Sequence, residues 1–115
     1  MQIVYTKPTP QMRKLCKSLG ENYRMGIIDF GNVIIRDLND KYDVEIGNVD
    51  CYSEKREADI YVWYGKRCLV ETIYKVPRDK IAVVVDELYN KYKDIQHNVI
   101  NRPLNPYFKH FNEQC

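Results

Sequence analysis

The chain has 115 residues, a formal net charge of +2, 30% charged and 44% hydrophobic residues, a balance that describes one globular domain with a single core. No apolar run reaches membrane-spanning length and no apolar signal core opens the chain, so a cytoplasmic protein with reduced thiols is expected. The charge is uneven: residues 1–36 hold six cations against two acids, a balance of +4, and the remainder holds twelve against fourteen, a balance of −2.

In chain order, Gln2 to Thr6 reads as a short strand and Lys7-Pro8-Thr9-Pro10 as a rigid connector. Thr9 is a good N-cap and Pro10 a good first helical residue. Met12, Leu15, Cys16 and Leu19 then form an apolar stripe that Gly20 terminates, which predicts a helix. Its other face carries Arg13, Lys14 and Lys17, and Arg24 if the helix extends that far, with no acid before Glu21. Met25 to Phe30 reads as a buried strand, and Asn32 as the N-cap of a second helix, Val33 to Tyr42, with Ile34, Ile35, Leu38 and Tyr42 inward.

Tyr42 to Ile46 alternates as a half-exposed strand ending at Gly47. A charged loop over 51–57 leads into a hairpin, Asp59 to Tyr64 returning as Arg67 to Tyr74 through a two-residue Gly65-Lys66 turn. That register opposes Trp63 to Cys68 and Val62 to Leu69. It puts Tyr61, Trp63, Cys68 and Val70 on one face, and Ile60, Val62, Tyr64, Leu69 and Ile73 on the other. Pro77 opens the last helix, whose stripe is Ile81, Val84, Val85, Leu88, Tyr92 and Ile95. Residues 96–115 read as an irregular C-terminal tail whose Tyr107, Phe108 and Phe111 dock on a single domain formed by residues 1–95.

The expected fold is therefore α+β: a three-stranded antiparallel meander flanked by helices, in α-β-β-β-α order from residue 32, preceded by a short strand and a basic helix. Over residues 32–95 this order resembles the topology of double-stranded-RNA-binding domains. The resemblance implies phosphate contacts at the start of the last helix, where Lys75, Arg78 and Lys80 stand with Asp79 between them.

Catalytic motifs are missing. Cys16, Cys51, Cys68 and Cys115 form no C-x-x-C pair, and His97, His110 and Cys115 fit no usual metal spacing. Ser18 and Ser53 lie in no nucleophile elbow, Cys68 has no histidine near it in sequence, and Asp59 and Glu71 fall on opposite faces of the expected hairpin. The Asp29-Phe30-Gly31 tripeptide, which binds magnesium in protein kinases, stands here without a glycine-rich loop or a catalytic-loop motif. No enzyme, cofactor or metal is expected.

The expected function is a small protein-binding module, an inhibitor or adaptor. Its Tyr-, Asn-, Lys- and Ile-rich composition is similar to that of accessory proteins of phages and mobile elements, including inhibitors of host defence nucleases. The binding residues are Arg13, Lys14, Lys17, Arg24, Tyr61, Trp63, Lys66 and Arg67. The first alternative is a nucleic-acid binder using the basic first helix, though a net charge of +2 is low for that role. The second is a structural homodimer. Either Met12, Leu15 and Leu19 cover the Trp63 face internally, or that face is an interface.

Overall fold

The computed structural model describes residues 7–65 and 68–95. Eight elements follow one another: helix α1 (Pro10–Leu19), strands β1 (Tyr23–Ile28), β2 (Gly31–Asp37), β3 (Tyr42–Gly47), β4 (Ala58–Tyr64) and β5 (Cys68–Val76), a single 3-10 turn (Arg78–Lys80) and helix α2 (Ile81–Tyr92). The strands form one antiparallel sheet in the order β1-β2-β3-β4-β5, each paired with its chain neighbour. The strand expected at Gln2 to Thr6 and the tail expected over 96–115 lie outside the described residues, as do Lys66 and Arg67. No helix among the described residues is long and apolar enough to cross a membrane.

The expected three-stranded meander is overturned. The sheet has five strands, and the segment expected to be the helix Val33 to Tyr42 is β2, a turn and the start of β3. The order from residue 32 is thus not α-β-β-β-α, and the likeness to double-stranded-RNA-binding domains goes with it. The run Val33-Ile34-Ile35 is β-branched and suits a strand. It pairs with β1 through a two-residue hairpin whose central residues, Asp29 and Phe30, both have positive φ (52° and 66°), as a type I′ turn requires. Asp29-Phe30-Gly31 is this turn and its exit. Asn32 caps no helix; its Nδ2 donates to Asp50 Oδ2 at 2.9 Å.

Both helices lie on one face of the sheet. Rows of paired residues, such as Ile34, Ile46, Ile60 and Ile73, share that face across four strands, and the buried cluster draws only on it. The cluster joins Met12 and Cys16 of α1 and Ile81, Val85, Leu88 and Tyr92 of α2 to Ile34, Val44, Ile46, Ile60 and Val62. Helix α1 begins as expected, whereas α2 begins at Ile81, four residues after the expected Pro77. The Thr9 hydroxyl accepts from Met12 N at 3.2 Å, Pro10 opens α1 and Gly20 (φ 117°) closes it. Pro77 leads through the 3-10 turn into α2. Of the residues expected in the core, Ile34, Leu38, Val62, Ile81, Val85 and Leu88 are buried, Leu15, Leu19 and Val84 pack partly against them, and Ile35 and Leu69 are half-buried outside the cluster.

Arg36 ties the layers together. It lies on the helix face of β2, is 8% exposed, and its Nη1 donates to Asp86 Oδ1 of α2 at 2.9 Å and to Tyr23 Oη of β1 at 3.2 Å. Its guanidinium sits 5.3 Å from the Tyr23 ring centroid and 4.8 Å from that of Tyr89. At the far edge, Glu71 of β5 accepts from Lys91 Nζ at 2.7 Å and from the Tyr92 hydroxyl, again joining sheet to α2.

Candidate functional site

The other face of the sheet carries no described helix, and its composition differs from the covered one. Strand alternation places Arg24 on β1, Val33, Ile35 and Asp37 on β2, Asp43 and Glu45 on β3, Asp59, Tyr61 and Trp63 on β4, and Leu69, Thr72 and Tyr74 on β5. Two rows cross the middle: Ile35, Glu45, Tyr61 and Thr72 pair in turn, and so do Asp37, Asp43, Trp63 and Leu69. Ile35, Tyr61, Trp63 and Leu69 are half-buried and Tyr74 is 64% exposed.

Leu69 sits on this face because the hairpin register differs by one from the expected two-residue turn. Three residues, 65–67, separate the strands, Tyr64 pairs with Cys68 and Trp63 with Leu69, and a bulge at Val70 restores Val62 opposite Glu71. A one-residue slip exchanges the faces of a strand, so Cys68 passes to the helix side and Leu69 joins Trp63. Cys16 and Cys51 are free thiols.

The platform is held by side chains laid over glycines. A Cβ on Gly26 would come within 2.7 Å of Ile35 Cδ1, and one on Gly47 within 3.5 Å of Tyr61 Cε2, so Ile35 and Tyr61 lie flat across the neighbouring strands. Trp63 donates its indole Nε1–H to Glu45 Oε1 at 2.9 Å. The rings of Tyr61 and Tyr74 meet edge to face, 6.3 Å between centroids, a favoured aromatic geometry.

Carboxylates frame these rings. Burial raises the Glu45 carboxyl above its ordinary value; the Trp63 hydrogen bond opposes the rise, and Asp29 and Asp43 add to it by repulsion. Burial raises the Tyr61 hydroxyl too, with Asp59, Tyr74 and Glu45 adding to the effect. Asp59 accepts from the backbone N–H of Lys75, a residue at a bulge with φ 58°. Arg24 reaches Asp37 with two hydrogen bonds, at 3.0 and 3.3 Å. The face is therefore aromatic in the middle and rich in carboxylates around it.

The residues expected to bind divide between the two sides. Tyr61 and Trp63 lie on the uncovered face, and α1, with Met12, Leu15 and Leu19, packs on the opposite side and does not cover them. Arg24 is on β1, not on an extension of α1, and faces the same way as Ile35. Arg13, Lys14 and Lys17 are exposed on α1 in the helix layer, with Lys14 Nζ 3.8 Å from Glu54 Oε1. Lys66 and Arg67 lie outside the described residues. Of Lys75, Arg78 and Lys80, Arg78 is engaged within the chain, donating to the carbonyls of Arg56 and Val49 and to Cys51 Sγ.

Glu45, Ile35, Asp59 and Tyr74 belong to the face and were not among the expected binding residues. The alternation of Asp43 and Glu45 in β3 was legible, but their neighbours depend on cross-strand register. No group of three or more metal-ligating side chains occurs among the described residues. Comparison of the chain with protein-family models, with curated proteins and with solved structures gives no match.

Proposed function

We propose that this chain is a non-enzymatic binding module that engages a protein partner through the uncovered face of its sheet. The supporting observation is the half-exposed group of Tyr61, Trp63 and Tyr74 with Ile35 and Leu69, left uncovered by both helices. Contiguous apolar surface of this kind marks contact sites on monomers, and Trp and Tyr are the commonest anchors of protein interfaces. A rigid antiparallel sheet presents them with little conformational freedom left to lose on binding. An inhibitor or adaptor needs no more than such a surface.

The alternative, nucleic-acid binding, uses Arg13, Lys14 and Lys17 on the opposite side of the molecule. The two readings are therefore separable by mutation. Partner capture from a nuclease-treated lysate is compared for wild type, Trp63→Ala, Tyr61→Ala and the triple change of Arg13, Lys14 and Lys17 to Ala, each checked for folding by circular dichroism. Loss with the two sheet-face variants and retention with the triple variant is the expected result. Capture that survives both aromatic changes, or that vanishes with nuclease, overturns the proposal. Light scattering addresses the homodimer alternative: a monomeric wild type is expected.

A further inference from the structure

We infer that what this face takes from its partner is a cationic side chain, a lysine or arginine of an extended segment, lodged over the Trp63 ring and against Glu45. The inference rests on the docking role proposed above and names the chemistry of the partner. Three features carry it.

The first is the fixed ring. Trp63 is half-exposed, and its Nε1–H is committed to Glu45 Oε1 at 2.9 Å, so the indole is held in one orientation while part of it remains open. The face of an indole is the strongest aromatic attractor of a cation. The second is charge. Among the described residues, Asp37, Glu45 and Asp59 lie on this face with Asp29 at its rim, against Arg24 and the bulged Lys75, and Arg24 is already engaged with Asp37. An acidic partner segment would meet repulsion from Glu45 and Asp59, so the surface discriminates as well as attracts.

The third is that the chain builds the same arrangement internally. On the covered face of β2 the Arg36 guanidinium stands between the rings of Tyr23 and Tyr89 and donates to the Asp86 carboxylate. Trp63, Tyr61 and Glu45 offer the equivalent rings and carboxylate with no described cation between them. An extended segment suits the site because its side chains alternate: every second residue would face the sheet and meet successive rows of the platform.

The test uses the whole chain and exploits Trp63, the only tryptophan in it, as a reporter on this face. The probe is a decapeptide with arginine at every second position in a Gly/Ser/Thr background, compared with the same peptide carrying citrulline, which keeps the shape and removes the charge. The expected result is a saturable change in Trp63 emission with the arginine peptide and none with the citrulline peptide. Glu45→Gln, which retains an acceptor for the indole, should weaken binding by roughly five- to tenfold, the scale of one partly desolvated cation–aromatic–carboxylate contact. Triple replacement of Arg13, Lys14 and Lys17 should leave it unchanged.

Equal responses to both peptides, or an unchanged affinity in Glu45→Gln, overturn the cationic assignment and leave docking at this face standing. No response to either peptide, combined with a wild-type dimer that Trp63→Ala dissociates, makes a second copy the occupant and overturns both. A response that appears only after Arg102 and Lys109 are changed to Gln makes residues 96–115 of the same chain the occupant and overturns the partner assignment.

Discussion

Replacing Arg36 separates what its charge contributes from what its bulk contributes. Its Nη1 hydrogen bonds to Asp86 and Tyr23, at 2.9 and 3.2 Å, and its stacking on Tyr23 and Tyr89 would all be lost in Arg36→Ala. The Asp86 side chain is 66% exposed, so that ion pair is worth no more than about 1 kcal/mol. The bond to the Tyr23 hydroxyl adds about 1 kcal/mol and the two ring contacts roughly 0.5–1 kcal/mol each. Packing of the three-methylene stem adds up to about 2 kcal/mol. Against this gross sum stands the desolvation of a guanidinium only 8% exposed, which the substitution recovers. Arg36→Ala should therefore lose a net ~3 kcal/mol, while Arg36→Met, which keeps the stem and drops the charge, should lie within about 1 kcal/mol of wild type. Urea unfolding at pH 7, followed by Trp63 fluorescence and by circular dichroism, measures both. A methionine variant as unstable as the alanine one refutes the reasoning and assigns the stability to the charge network. An alanine variant within 0.5 kcal/mol of wild type, about the effect of an ordinary surface substitution, refutes the role of Arg36 as the tie between sheet and α2.

Three further outcomes follow from the geometry. The Glu45 carboxyl is raised in the folded state, so its ionisation opposes folding, and the penalty grows as pH rises above the unfolded-state value and is complete above the folded-state one. Glu45→Gln should raise the thermal midpoint at pH 7, and the gain should vanish below the unfolded carboxylate value near pH 4; a gain equal at both pH values would refute this. Phe30 holds φ 66° at the β1–β2 turn while 67% exposed, so Phe30→Gly should stabilise by roughly 0.5–1 kcal/mol in urea unfolding, relief of the left-handed strain exceeding the added chain entropy. Leu88→Ala, at 4% exposure in α2, should cost roughly 2–5 kcal/mol, and a thermal midpoint within a degree of wild type would contradict the placement of α2 on the core.

Local chemistry alone determined several elements of this protein. Thr9, Pro10 and Gly20 bound α1 because capping, ring-fixed φ and the left-handed stop act within a few residues. The stripe of Ile81, Val85, Leu88 and Tyr92 marks α2, and the alternation of Tyr42 to Gly47 and Ala58 to Tyr64 marks β3 and β4. At β2 the same logic is ambiguous. Ile34, Leu38 and Tyr42 are spaced by four, which fits one face of a helix and equally one face of extended chain. What separates the two is Arg36, the even-numbered residue between them, which a helix would leave in water and this sheet buries. Its burial depends on Tyr23, Asp86 and Tyr89, the last two 50 or more positions away, so no local pattern announces it. The same holds for the uncovered face. Which of Cys68 and Leu69 accompanies Trp63 turns on one residue of loop length and a bulge at Val70, and whether that face is open turns on α1 packing beside α2 rather than opposite it. Register and layer order arise from contacts between distant segments, and these place Trp63 beside Glu45 on the sheet side that no described helix covers.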